Sequence, residues 1–586
     1  MIENLAPGFV PGRSWALWHD FWNDSKKPVL DSQDCEPDIP SSFVRDGIVA
    51  RDGNTGEVNP LEMAYNALVT MQREFWDPQS KTWPTAIDWT AAFIHTAFTG
   101  MTDTLSMASD ESFANMNEDE VLKTVETYFN QIVDFYSGQN AASLRGQAFD
   151  DMLWVVLGWL ESTSFIKSHS DLHYSGDDDR VSSRLRRRIA LVSRAWQQGN
   201  EWMGAFGLRA REFWDLARVG WGEDLCGGGM RWSPHLLVYK NAITNQLWIA
   251  SSAKIYIDFP VENIEARNQT YLEVAMKGYD WIMAVNMTNK AGLFVDGYHI
   301  SNPPADNTKC DTRDESVYTY NQGVLLTGQR RLWEATGSPD FLRDGHQLTQ
   351  DVIQATGWDL REGSPTDEIQ PDKLPPWRGL GRAGVIEERC DSTGDCSQNT
   401  QTFKGIYFHH LTEFCMPITR PNQDVDDKAF DAVVERHANA CRAYLPWIAH
   451  NAEAALGTRD ERGVFGGWWG ADKYQVWDSD GARYRSQNVS DYRNFGIPDN
   501  DVWRAAGEKP APLPGVEARD VEEPLSRDAR NSGRRGLGST EAQQEKRKNK
   551  ARAEDPNDRG RGRTVETQNS GMSVLRAWWE ISQAHA

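Results

Sequence analysis

Apolar residues return at spacings of three and four in block after block from Leu61 almost to Trp579, and no segment shows a sustained apolar–polar alternation. That periodicity confines most of the chain to helices. It predicts them near 61–76, 87–100, 118–137, 145–165, 183–204, 237–257, 265–285, 316–336, 339–355, 401–416, 427–455 and 565–583. The expected fold class is all-α. Loops bearing glycine, proline and tryptophan between the blocks suggest helical hairpins in succession. A dozen helices is the number needed by a closed double ring of six inner and six outer helices.

The blocks also divide the chain. Residues 1–58 are rich in Pro, Asp and Gly without periodicity and read as an N-terminal extension. Residues 59–503 form the main part of one helical domain, with a polar loop at 166–182 whose Asp177–Asp179 run reads as a solvated turn. Residues 504–563 contain no Phe, Trp or Tyr and many charges, so they cannot bury enough apolar surface to order themselves and are expected to be a disordered insertion. Residues 564–586 return to the helical pattern as the final helix of the same domain.

Charge narrows the partners. A formal net charge of −23 argues against nucleic acid and against anionic membrane surfaces, and favours a neutral ligand. No run of 18 apolar residues marks a transmembrane segment, and a monomer is expected. The 25 tryptophans among 586 residues can pack helices, and they can also provide flat platforms for the apolar faces of sugars. Seven cysteines leave at least one unpaired, and none forms a CxxC, so no zinc site is expected. Cys390 and Cys396 can close a short disulfide loop, and Cys226 with Cys310 is a further candidate pair. Sequons at Asn23, Asn268, Asn286 and Asn488 and the cysteines suit an extracellular protein, whereas the N-terminus "MIENLAPGFVPGRSW" lacks the basic start and apolar run of a signal peptide.

Chemistry concentrates at "GQAFDDMLW", where Asp150 and Asp151 stand side by side at a predicted helix start. Two carboxylates at a helix N-terminus can simply cap it and favour its dipole. Two carboxyl groups at one cleft can also cleave a glycosidic bond, one protonating the leaving oxygen and the other attacking the anomeric carbon or activating water. Four further stretches place polar residues at or near helix starts: "CGGGMRW" with "YKNAITN", "YTYNQGVLLTG", "TFKGIYFHHL" and "VETQNSG". They supply Trp232, Lys240, Asn241, Asn245, Tyr320, Asn321, Gln322, Lys404 and Gln568 to what several inner helices could present as one cleft. The three glycines of "CGGGMRW" would let backbone approach a ligand closely.

These motifs, in this order from about Glu62 to about Trp579 and interrupted by the insertion, resemble glycoside hydrolase family 76, the α-1,6-mannanases and related fungal cell-wall enzymes; "CGGGMRW" resembles its fungal branch. The resemblance implies an (α/α)6 barrel and a retaining, endo-acting glycosidase on α-1,6-mannosidic linkages, with Asp150 as nucleophile and Asp151 as general acid/base. It implies that Trp232, Lys240, Asn241, Tyr320, Asn321 and Lys404 line or shape the cleft, and that Trp89 of "DWTAAF" is a sugar-facing ring, with Thr90 standing where the family has a second aromatic. A carbohydrate is then the partner, and the chemistry needs neither metal nor cofactor. It also implies an extracellular or cell-wall location. Two alternatives share these motifs: a transglycosidase acting on mannan-bearing cell-wall glycoconjugates, and an inactive carbohydrate-binding barrel, which has no need of a paired aspartate.

Overall fold

A computed structural model describes residues 59–474 and 555–585, apart from 112, 175–195, 260–266, 302–306, 371–372, 422–425 and 560. The expected N-terminal extension and most of the expected insertion lie outside the described residues. The insertion's last residues do not. Asp555 caps a short turn of helix at Pro556–Asp558, Asn557 is buried with its Oδ1 accepting from the Trp468 N–H at 2.8 Å, and Arg563 pairs with Asp555 at 2.6 Å. Residues 555–559 and 561–563 thus make contacts with the helical body that composition does not reveal, because two polar side chains find buried partners there.

Twelve long helices stand among the described residues: α1 (Pro60–Phe75), α2 (Asp88–Met107), α3 (Glu118–Gly138), α4 (Phe149–His173), α5 (Gln197–Ala217), α6 (Ala242–Asp258), α7 (Gln269–Ala284), α8 (Tyr320–Thr336), α9 (Pro339–Ala355), α10 (Gln398–Cys415), α11 (Asp427–Leu456) and α12 (Val565–Ala584). Their ends carry local signals. Asn59 accepts from the Leu61 N–H at 3.0 Å with Pro60 at the first helical position, Asn117, Ser397 and Thr564 cap α3, α10 and α12, and Gly337 closes α8 in the left-handed conformation.

The even-numbered helices α2, α4, α6, α8, α10 and α12 each pack against the next, and α12 packs against α2 to complete the circuit. Behind them, α3 packs on α2, α5 on α4, α7 on α6, α9 on α8, and both α1 and α11 on α12. The two sets differ as burial requires. The even helices are buried on nearly every face, whereas α3 and α9 bury a single stripe. Close approach within the circuit depends on small residues. A methyl group at Gly323 of α8 would lie 2.7 Å from the Tyr407 Cα of α10, and one at Gly405 of α10 would lie 2.9 Å from the Ser570 Cα of α12.

A buried charge network crosses the same circuit. Lys254 of α6 pairs with Glu161 of α4 at 3.2 Å and with Asp258 at 3.0 Å. Arg331 of α8 reaches Asp258 at 3.6 Å, Glu334 at 2.8 Å and Glu413 of α10 at 3.2 Å. Arg330 pairs with Glu334 at 2.7 Å. Arg576 of α12 meets Glu580 at 2.7 Å, Glu413 at 3.8 Å and His409 Nδ1 at 3.0 Å, while Glu580 accepts from Thr104 of α2. All six inner helices contribute.

Several boundaries differ from expectation. The helix expected at 145–165 runs to His173, and the one expected from 237 starts at Ala242; of the one expected at 183–204, residues 183–195 lie outside the described residues, and the described helix there is Gln197–Ala217. Residues 239–241 instead form β1 of a three-stranded antiparallel sheet with β2 (Gly297–His299) and β3 (Thr312–Asp314), registered Lys240 opposite Tyr298 and Tyr298 opposite Arg313. Three-residue strands are too short to show an alternation. Three disulfides join Cys226–Cys310, Cys390–Cys396 and Cys415–Cys441, and Cys35 lies outside the described residues. No described helix is long and apolar enough to cross a membrane.

The glycine contact is testable in thermal melting. Gly323→Ala should destabilise the protein by about 1–3 kcal/mol through overpacking. Gly204→Ala, at an exposed position of α5 where a methyl group meets nothing within 4 Å, should stabilise it by about 0.5–1 kcal/mol.

Candidate functional site

The first turns of α2, α4, α8 and α10 and the cap of α6 open onto one cavity of about 170 Å³, lined by Trp89, Asp150, Trp154, Trp232, Tyr239, Asn241, Asp296, Tyr320, Asn399 and Phe403. Five residues expected at the cleft therefore line it: Trp89, Asp150, Trp232, Asn241 and Tyr320. Asp151, Lys240, Asn321 and Lys404 are not among the lining residues.

The paired aspartates have different surroundings. Asp151, 0% exposed, turns its Oδ2 back to accept from the Ala148 N–H at 3.3 Å, the contact of a capping residue at the third helical position. Asp150, 7% exposed, lines the cavity; its Oδ1 accepts from the Asp151 N–H at 3.0 Å and its Oδ2 from Trp232 Nε1–H at 3.0 Å. The Phe149 N–H donates to the Trp232 carbonyl at 2.8 Å, so the α4 N-terminus and the "CGGGMRW" segment are joined on both sides of the carboxylate.

Aromatic rings form the remaining walls. Trp89 stacks on Trp154 at 5.7 Å between centroids and donates from Nε1 to Asn399 Oδ1 at 2.7 Å. Tyr320 stacks on Phe403 at 3.9 Å with the rings 2° from parallel. Trp232 meets Tyr239 edge-on at 6.3 Å, and Tyr239 in turn stacks on His299 at 4.0 Å. Thr90, in place of a second aromatic, donates to Glu566 Oε1 at 2.8 Å; the same oxygen accepts from Gln398 Nε2 at 2.9 Å, tying the starts of α2, α10 and α12 together.

Lys240 and Lys404 shape the cavity without lining it. On β1 successive side chains point to opposite sides, so Tyr239 and Asn241 face the cavity and Lys240 faces away. Its ammonium donates to the carbonyls of Gly222 at 2.8 Å, Leu225 at 2.8 Å and Gly229 at 3.0 Å, and also to that of Gly228. Burial lowers its pKa to about 8. The glycine run thus wraps an ammonium rather than a ligand. It also lies on Trp281, where a methyl group at Gly229 would come within 2.6 Å of the ring. Lys404 donates to Asp391 Oδ2 at 2.7 Å, and that oxygen also accepts from the Glu388 N–H at 2.9 Å. Glu388 Oε1 accepts from the Thr319 N–H at 2.9 Å, so this buried chain fixes the starts of α8 and α10, from which Tyr320 and Phe403 project. Burial pushes the Glu388 pKa up to about 7. Asn321 donates from Nδ2 to Asp296 Oδ1 at 3.2 Å and shapes the site through that residue.

Trp154, Tyr239, Asp296, Asn399 and Phe403 were not expected at the cleft. Trp154 lies four residues after Asp150 and so on the same helix face, a signal present in the sequence. Asp296, in "LFVDGYH", carries no helical or motif signal; burial raises its pKa to about 6, against the lowering effect of bonds from Tyr239 and Asn321. A separate cluster of His346, His437 and Cys441 has the spacing of metal ligands. There, however, Cys441 is bonded to Cys415 and the two rings hydrogen-bond each other at 3.0 Å.

A family model for glycosyl hydrolase family 76 matches residues 120–480. The mannan endo-1,6-alpha-mannosidase DCW1 of Saccharomyces cerevisiae is 26% identical over 294 residues, covering 49% of this chain and 55% of that protein. DFG5 of the same yeast, also named mannan endo-1,6-alpha-mannosidase, is 26% identical over 230 residues, covering 38% and 42%. The matched region thus spans about half the length of these curated relatives. Among solved structures, the GH76A alpha-1,6-mannanase from Salegentibacter sp. HEL1_6 aligns at a TM-score of 0.47 and 15% identity over 89% of this chain and 100% of that one. Dfg5 from Chaetomium thermophilum, in complex with glucosamine, aligns at 0.44 and 16% identity over 70% and 83%.

Removing the Lys404 ammonium strands a buried carboxylate, so Lys404→Met should destabilise the protein by about 3–5 kcal/mol in urea titration. Adding Asp391→Asn should recover part of that loss, since the uncompensated charge is then gone.

Proposed function

Because the chain belongs to glycosyl hydrolase family 76, which its model matches over more than half of the 586 residues, we propose that it is a retaining, endo-acting glycosidase cleaving α-1,6-mannosidic linkages in mannan or related cell-wall glycans. The circuit of six inner helices, with six outer ones packed behind it, supports an (α/α)6 barrel as its fold. The relatives named mannan endo-1,6-alpha-mannosidase support the substrate.

The observation that carries the reading is Asp150, a carboxylate at a helix N-terminus that opens into a cavity walled by indole and phenol rings. Sugar rings present apolar faces to such walls. In this reading Asp150 attacks the anomeric carbon, the bond from that carbon to the leaving oxygen breaks, and Asp151 protonates the departing sugar. Asp151 then takes a proton from water, whose oxygen displaces Asp150 from the glycosyl intermediate. To deliver its proton, Asp151 exchanges its bond to the Ala148 N–H for the glycosidic oxygen. Such catalytic contacts commonly form only with substrate bound. Retaining chemistry needs carboxyl groups about 5–5.5 Å apart, within reach of neighbouring residues on one helical turn.

Incubated with linear α-1,6-mannan, the purified protein is expected to release oligomannosides of decreasing length, read by product mass over time. Asp150→Asn should remove turnover, and Asp151→Asn should lower it about 10²–10⁴-fold, with melting temperatures unchanged. Wild-type turnover by either variant would remove the role assigned to that residue. Elongated products at high oligomannoside concentration would identify transfer to a sugar hydroxyl in place of hydrolysis.

A further inference from the structure

The cavity wall holds two carboxyl groups, Asp150 and Asp296, and the mechanism uses only the first. Asp296 lies between Phe294 and β2 and is anchored by its backbone. Its N–H donates to the Ser316 carbonyl at 2.8 Å, and its carbonyl accepts from the Ala242 N–H at 2.7 Å at the start of α6. Its side chain is anchored as well: Oδ1 accepts from Asn321 Nδ2 at 3.2 Å, and Oδ2 accepts from the Tyr239 hydroxyl. Asn321 is itself held, since its carbonyl accepts from Gln246 Nε2 at 2.7 Å.

The two carboxyl groups lie at opposite ends of one aromatic wall. Asp150 bonds the Trp232 indole, Trp232 meets Tyr239 edge-on, and Tyr239 bonds Asp296. The residue remains partly exposed, and the exposed part faces the cavity. A carboxylate has about four acceptor sites, of which these bonds occupy two. Sugar hydroxyls are donors that suit the remainder.

We propose that Asp296 is a substrate-binding residue, accepting hydroxyl groups of the mannose ring seated against Trp232 and Tyr239, with Tyr239 and Asn321 as its positioning residues. The proposal rests on the mannan reading of the cavity. It assigns recognition to a third aspartate, distinct from the pair on α4.

The charge on Asp296 is set by its surroundings. Tyr239 faces it from β1 with His299 stacked behind from β2, Asp314 lies on β3, and Tyr318 and Tyr320 flank the start of α8, with Asp150 beyond Tyr320. Burial, reinforced by Asp314, holds its proton up to about pH 6. Hydroxyl acceptance by the carboxylate therefore strengthens as the pH rises through that value.

The test is calorimetric titration of α-1,6-mannotriose into the Asp150→Asn protein, where turnover does not interfere, and into the same protein also carrying Asp296→Asn or Tyr239→Phe. Expected at pH 7 is at least about a tenfold weaker affinity with Asp296→Asn, in line with the loss of hydrogen bonds to a charged group, and a smaller loss with Tyr239→Phe. The Asp150→Asn protein should bind more tightly at pH 7 than at pH 5, and Asp296→Asn should abolish that difference. Equal affinity and an equal pH trend with and without Asp296→Asn would overturn the inference and leave the mannan reading standing. If Asp296→Asn protein does not fold, a flat pH response of the Asp150→Asn protein together with unchanged Tyr239→Phe affinity would overturn it as well. Absence of mannotriose binding and of mannan cleavage by the unaltered protein would overturn the mannan reading, and the inference with it.

Discussion

Four cations, Lys254, Arg330, Arg331 and Arg576, and five carboxylates, Glu161, Asp258, Glu334, Glu413 and Glu580, all buried or half-buried, cross the inner helices on their C-terminal halves. Taking each ion from water costs several kcal/mol, and only good geometry offsets it, so such a network contributes more to register than to stability. An inner helix displaced by one turn, about 5.4 Å, would leave a guanidinium or carboxylate without its partner in a dry interior. The unequal count also has a place to settle. Burial and the neighbouring Glu413 raise the Glu161 pKa, whereas Glu413, although burial raises it, is held low by Lys254 and Arg331.

Register at one end fixes level at the other. Between cavity residues and network residues on the same helix lie ten to fifteen positions: Asp150 and Glu161, Tyr320 and Arg330, Phe403 and Glu413, Trp89 and Thr104. At 1.5 Å per residue these intervals span about 15–22 Å. The first turns of α2, α4, α8 and α10 and the cap of α6 consequently end in one mouth, with Asp150 on the first turn of α4. Bonds between helix starts then refine what the network aligns, through Glu566 joining Thr90 to Gln398 and Glu388 clamping Thr319.

Much of this was legible. All twelve long helices left a 3.6-residue imprint, because inner and outer helices alike repeat apolar residues at that period, and the pattern placed Asp150 at a helix start. Site residues were harder. Lys240 and Lys404 stood out as residues that line or shape the cleft, and the cavity lining holds their neighbours Tyr239 and Phe403. Which of two adjacent residues faces a ligand depends on the phase of the element, and a three-residue strand gives no periodicity from which to read it. Asp296 was invisible for a related reason: its importance comes from Tyr239 and Asn321, brought to it by the sheet and by α8. The adjacent aspartates of "DD" differ in surroundings that spacing does not reveal: Asp151 accepts from the Ala148 N–H, and Asp150 lines the cavity.

Helix α12 fills the gap between α10 and α2, and its contacts reach furthest along the chain: Gln568 donates to the Ala67 carbonyl at 2.8 Å, and Thr90 donates to Glu566. Yet 108 residues separate the end of α11 at Leu456 from Val565. At translation rates of about 5–20 residues per second, a nascent chain carries eleven long helices for roughly 5–20 s before the twelfth emerges. During that interval the circuit is a horseshoe with two sticky ends, Gly405 and the Glu413 carboxylate on one lip and Thr90 and Thr104 on the other. A polypeptide built this way has a birth problem as well as a folding one, and an escort that shields those lips would matter most in the seconds before the twelfth helix emerges.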